Sequence, residues 1–204
     1  VRRWARRTFG GVLASPAVSE DAVYVASLDQ YLWSFDIKTG ETRWRYFTQA
    51  ALRTPPFPMA DVVLQFVPGE GLVCFNANTT KIDGDVRWRN ADVVGIPVGI
   101  VTTAAGDRIT LWEQSSHTLT LVDPRLGSVD KTFILGSVAE LQLVTEGPFA
   151  GDIFATAADG RILRLAPKFM KPAAAIKDGA KAAVKELPLS IPPADATKEP
   201  AEKH

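Results

Sequence analysis

SPAVSEDAVYVASLDQYLWSFDIKTGETRW, residues 15–44, is the stretch whose reading decides the fold, because it recurs. A shift of 40 residues places Pro16 on Pro56, Val23 on Val63, Leu32 on Leu72, Phe35 on Phe75 and Asp36 on Asn76. The second copy then carries four extra residues within NTTKIDGD, after which both copies reach the same ending: Gly40 precedes Trp44 by four positions and Gly84 precedes Trp88 by four. A third copy opens near Pro97 and keeps the same Asp-to-Gly spacing at Asp123 and Gly127, with Lys131 standing where a tryptophan belongs and Phe133 as a substitute ring. A fourth is visible in DIFATAADGRILRLAP, where Asp159 and Leu165 correspond to Asp29 and Phe35.

Inside each copy, β-branched and aromatic runs alternate with turn formers. In the first, VLASPAV, AVYVAS, YLWSFD and TRWRYF are separated by SED, LDQ and KTG, which reads as short strands joined by tight turns. Four short antiparallel strands in a repeat of about 40–45 residues predict a propeller blade, whose two faces stack on neighbouring blades. Such a sheet accepts apolar residues on both faces, so Val23 and Val25 can alternate with Ala22, Tyr24 and Ala26 without a polar side. Up to residue 166, no window of a dozen residues keeps a helical stripe free of glycine or proline.

The expected architecture is therefore all-β, a β-propeller of four-stranded antiparallel blades at about 11–47, 52–90, 95–134 and 138–166. Residues 2–9 read as an outer strand, with Trp4 in the place that Trp44 holds before the next copy. Two closures remain open. Residues 2–9 complete the fourth blade and close a small ring, or the four blades are part of a ring of seven or eight and residues 2–9 finish another blade. An open ring predicts self-association through its exposed blade faces. The start on Val1, with no apolar leader after it, predicts that the natural beginning lies upstream.

Composition changes near residue 167: all 13 arginines precede it and seven of the ten lysines follow it, among alanines and prolines. Residues 167–204 carry few large apolar groups to offset the entropy of ordering, which predicts a flexible tail. Within it Ile176, Ala180, Ala183, Val184 and Leu187 share one helical face. Gly179 and the preponderance of alanine make a transient helix or coil the competing reading.

The string quoted at the outset resembles the repeat of quinoprotein-type propellers, the pyrroloquinoline-quinone-like family that includes the BamB-type outer-membrane assembly factors. The shared features are a small residue and Pro, a V-Y-V strand, an Asp-containing turn, and T-G-x-x-x-W. The resemblance implies that Asp36, Thr39, Gly40 and Trp44 form a docking motif in which the tryptophan of one blade wedges against the next. It implies the same roles for Asn76, Gly84 and Trp88, and for Asp123 and Gly127. Burying an indole at each junction is worth about 2–3 kcal/mol by area. These residues, with Trp4, are structural.

Catalytic, cofactor and metal residues are expected to be none. Quinoprotein dehydrogenases of this resemblance hold their quinone with calcium, an aspartate base and paired cysteines, whereas Cys74 is single. Asp83 and Asp85 in one turn fall short of the roughly six to eight oxygens that calcium takes. His117, in the loop sequence QSSHT beside Ser115 and Ser116, lacks the orienting third group of a catalytic triad. Lysine plus arginine equals aspartate plus glutamate at 23 each, so no basic excess points to nucleic acid. No apolar run is long enough to span a bilayer. The resemblance implies a non-enzymatic scaffold that binds other proteins in the bacterial periplasm or cell envelope. The alternative is a fragment of a quinone-dependent dehydrogenase whose catalytic residues lie elsewhere.

Overall fold

Runs such as AVYVA and YLWSFD, each bounded by a turn, have only their neighbours in sequence to satisfy their backbone groups, so each repeat folds onto itself. The computed structural model describes residues 3–144 and 147–165, all within a unit spanning Val1–Ala173. The tail expected at 167–204, with its helical stripe, lies outside the described residues.

Four antiparallel sheets follow one another along the chain. The first comprises β1 (Ala17–Val18), β2 (Ala22–Ala26), β3 (Tyr31–Asp36) and β4 (Thr42–Phe47). The second comprises β5 (Phe57–Met59), β6 (Val62–Val67), β7 (Gly71–Asn76) and β8 (Val86–Asn90). The third has β9 (Ile96–Thr103), β10 (Gly106–Glu113), β11 (Thr118–Val122) and β12 (Val129–Ile134). Three strands are described in the fourth: β13 (Val138–Leu143), β14 (Ile153–Ala157) and β15 (Ile162–Leu165). In every sheet the strands lie in chain order, as in a propeller blade.

The hydrogen bonds repeat as faithfully as the letters. Val23 pairs with Phe35 as Val63 pairs with Phe75. A bulge falls at the same step before the outer strand in three sheets, between Ser34 and Phe35, Cys74 and Phe75, and Leu121 and Val122. Such a bulge sharpens the local twist where the outer strand leaves its partner.

Alternate residues of each strand fill alternate junctions. Ala22, Tyr24, Leu32 and Trp44 pack against Val63, Val73 and Phe75 between the first and second sheets. Val62, Leu64, Leu72 and Cys74, the other face of the second sheet, pack against Ile109, Leu111 and Val122 of the third. Trp112, Leu119 and Leu121 meet Ile153 and Ala155 of the fourth. A smaller cluster of Val25, Trp33 and Phe35 covers the remaining face of the first sheet.

Residues 3–9 depart from the strand expected of them: they carry no strand pairing. Within the described residues the fourth sheet pairs only β13, β14 and β15. A strand needs a sheet edge at hydrogen-bonding distance, and these residues are instead tied through Trp4, Arg6 and Phe9 to turns of the first sheet.

Candidate functional site

The turn between the third and fourth strands of a sheet is built by its leading residue. The Asp36 carboxylate accepts hydrogen bonds from the backbone N–H groups of Lys38 and Thr39 and from the Thr39 hydroxyl. The N–H of Gly40 closes the turn onto the Asp36 carbonyl at 2.8 Å. Asp123 does the same with the N–H groups of Arg125 and Leu126, and Gly127 closes that turn at 2.9 Å. These donors, the Thr39 N–H foremost for Asp36 and the Arg125 N–H for Asp123, hold both carboxyls below the usual carboxylate range. In the second sheet the four-residue insertion separates the parts: Asn76 Oδ1 accepts from Asn78 N–H, while Gly84 closes onto Lys81 instead.

Each turn receives a tryptophan from the preceding outer segment. Trp44 Nε1 donates to the Ala77 carbonyl at 3.1 Å, and Trp88 Nε1 to the Pro124 carbonyl at 3.0 Å. Trp4 Nε1 donates to the Ile37 carbonyl at 2.9 Å. In all three cases the acceptor is the residue immediately after the turn's leading Asp or Asn. The turn glycine lies under the ring: a Cβ on Gly40 would sit 2.6 Å from the Trp4 indole, and one on Gly127 2.4 Å from that of Trp88. Both glycines have φ of +70°, a left-handed conformation that side chains disfavour. Gly84 approaches Tyr46 and Trp44 less closely. The structure thus brings Trp4 to Gly40, Trp44 to Gly84 and Trp88 to Gly127, each tryptophan meeting the glycine of the following repeat.

The third junction is built otherwise. Lys131 lies opposite Leu121 in the register where Trp44 lies opposite Ser34 and Trp88 opposite Cys74. Phe133, two residues on, joins the core between the third and fourth sheets. The position held by Ala22 and Val62 is taken by Arg108, buried and ion-paired to Asp130 at 3.1 Å and to Asp123 at 3.7 Å. A polar clasp stands here in place of the indole wedge.

At the opposite end of the strands the first sheet presents a row of rings. Phe9 packs on Trp33, Trp33 on Tyr31 and Tyr31 on Phe47, with centroid separations of 5.7, 5.6 and 5.1 Å. The Arg45 guanidinium lies over Tyr31 and Trp33. Asp29 fixes the row by accepting from Trp33 Nε1, the Tyr31 N–H and the Phe9 N–H. The inner ring Trp33 is buried, but Phe9 is 77% exposed and Phe47 is also exposed, as are Val12 and Leu13. Sequence reading did not single out this row. The six aromatics from Tyr31 to Phe47 were its available signal.

The residues weighed for chemistry are engaged elsewhere. Asp85 is tied to Lys81 at 2.5 Å, a contact that holds its carboxyl below the usual range. Cys74 is buried and its thiol is pushed up to about 12 by desolvation. The His117 Nδ1–H donates to the Val138 carbonyl, and the Ser115 hydroxyl donates to Glu113. Among the described residues, no three His, Cys, Asp or Glu side chains gather as a metal site. These residues do not fit the calcium-held quinone of the dehydrogenases.

Sheets whose strands run in chain order, the first two junctions between them locked through a tryptophan and an Asp/Asn–Gly turn, define a β-propeller repeat fold. Residues 2–91 match the family described as outer membrane protein assembly factor BamB. The structure is similar to BamB from Moraxella catarrhalis, with a TM-score of 0.60 and 20% identity over 78% of this chain and 46% of that one. BBS1N, solved in complex with ARL6DN, gives 0.54 and 11% over 78% and 49%. The computationally designed Ika4 protein gives 0.50 and 14% over 78% and 92%. No curated protein matches the chain in sequence. The chain spans about half the length of the BamB structure it resembles.

Proposed function

We propose that the chain is a non-enzymatic scaffold that binds other proteins through the aromatic end of its first sheet, in the periplasm or cell envelope. The observation that carries this reading is the row Phe9, Trp33, Tyr31 and Phe47 with Arg45, anchored by Asp29 and exposed at both ends. Aromatic rings and arginine supply most of the energy at protein interfaces, because a rigid ring or planar guanidinium loses little entropy when covered. Here the inner rings are already fixed, so covering Phe9 and Phe47 costs only their own freedom. The tryptophans and turn aspartates of the repeat serve sheet-to-sheet docking in this reading. The match of residues 2–91 to the assembly-factor family supports the envelope setting.

Site-specific photo-crosslinking in cells that express the protein tests the proposal. A photoreactive phenylalanine analogue at position 9 or 47 is expected to give a discrete protein adduct. The same probe at exposed Leu126, in a turn at the other end of the strands, is expected to give none. Equal labelling at all three positions, or none at 9 and 47, would contradict it.

A further inference from the structure

The outer strands β4 and β8 place arginines at equivalent positions on either side of Trp44 and Trp88. Three of these arginines are held by carboxylates: Arg43 by Asp21 and Arg87 by Asp61, each at 2.6 Å, and Arg89 by Glu70 at 3.0 Å. Arg45 is the exception. Among the described residues no carboxylate pairs with it and no acceptor takes a hydrogen bond from its side chain. Its guanidinium lies instead 5.2 Å from the centre of the Tyr31 ring and 5.4 Å from that of Trp33.

The repeat explains the difference. The 40-residue shift that sets Arg45 near Arg89's place also sets Gln30 on Glu70, so the first copy has an exposed amide where the second has the carboxylate. Asp29, next to Gln30, is occupied by the Trp33 Nε1, the Tyr31 N–H and the Phe9 N–H. Stacking on rings covers a face of the guanidinium and leaves its in-plane N–H donors open. A planar fork of donors fits a carboxylate through two parallel hydrogen bonds.

We infer that the protein partner of the aromatic row presents a carboxylate to Arg45, with an apolar side chain on either side of it for Phe9 and Phe47. This rests on the scaffold reading and names the chemistry that the scaffold selects. The rings step along the row by 5.7, 5.6 and 5.1 Å, with Arg45 over the inner two and the exposed Phe9 and Phe47 at the ends. An extended segment sets alternate side chains on one face about 7 Å apart. A partner strand with the pattern apolar–x–acidic–x–apolar therefore spans the row, its acid at the centre.

The end-capped pentapeptides FSESF and FSQSF are probes that differ in that charge alone. Titrated into the full chain and followed by the indole N–H resonance of Trp33, FSESF should bind about tenfold more tightly than FSQSF. The preference should vanish in Arg45→Gln, and Arg45→Lys, which keeps the charge without the planar fork, should retain part of it. Equal affinities of the two peptides for the unsubstituted chain would overturn the inference, whether or not Arg45→Gln folds well. So would saturable binding of neither peptide, or a preference that a folded Arg45→Gln chain leaves intact. In cells, the adducts expected from positions 9 and 47 should be lost in Arg45→Gln. Adducts that persist there at full yield would leave the scaffold reading standing and overturn this inference. Absence of adducts from the unsubstituted chain tells against the scaffold reading itself, and the peptide titration separates that failure from this one.

Discussion

A tryptophan, a carbonyl and a glycine meet at the first two junctions between repeats. Trp44 is wholly buried, with its one polar atom satisfied by the Ala77 carbonyl, so its removal leaves both a cavity and an unpaired acceptor. Trp44→Ala should therefore cost about 3–5 kcal/mol in denaturant unfolding. Trp4→Ala should cost less, because Trp4 is only partly buried. Gly127→Ala tests the same contact from the other side: the new methyl must adopt a left-handed φ and displace the Trp88 ring, which should cost about 2 kcal/mol. A Trp44→Ala protein within about 1 kcal/mol of the parent would show that the indole is not the wedge. The tryptophan and glycine positions were legible in the sequence because they recur at fixed spacing. Arg108 was not, because its ion pairs are with two aspartates, 15 and 22 residues away, that only the fold brings to it.

The turn between the third and fourth strands links these residues to pH. Asp36 and Asp123 have carboxyls below the ordinary value of 3.8 in the folded chain, because backbone N–H groups of the turn stabilise the charged form. The unfolded chain then binds more protons than the folded one as the pH falls through the carboxylate range. The stability these groups contribute is complete above their unfolded pKa and is lost progressively below it. Asn76 shows that a neutral oxygen can also head this turn. Asp36→Asn combined with Asp123→Asn should flatten the acid limb of a stability–pH curve between about pH 5 and 2, measured by urea unfolding. An unchanged slope would assign the acid sensitivity to other carboxylates, with Asp61, held low by Arg87, the first of them. The alternation of short apolar runs and turn residues made the elements readable to within a few residues. Residues 3–9 read as a strand because their letters match an outer strand. They are not one, since strand pairing is decided by the presence of a neighbouring edge, which local sequence does not encode.

On the scale of the whole molecule, four sheets stack through cores that alternate along every strand, and this arrangement was visible in the 40-residue repeat before any coordinate. The aromatic row was hidden for a physical reason: Trp33 is buried and Phe9 exposed, and nothing in either residue's own neighbourhood distinguishes those fates. The same fold is shared by assembly factors, designed proteins and other repeat proteins, so fold alone does not choose between scaffold and quinone enzyme. The residues that remain for ligand chemistry, Asp85, Cys74 and His117, are already committed to Lys81, to the core and to the Val138 carbonyl. The most direct measurement is a titration of the purified chain with pyrroloquinoline quinone and calcium, followed by the fluorescence of Trp33, Trp44 and Trp88. A scaffold predicts no saturable quenching beyond the inner-filter effect of free quinone. A saturable transition with a micromolar dissociation constant, abolished by chelating the calcium, would contradict it.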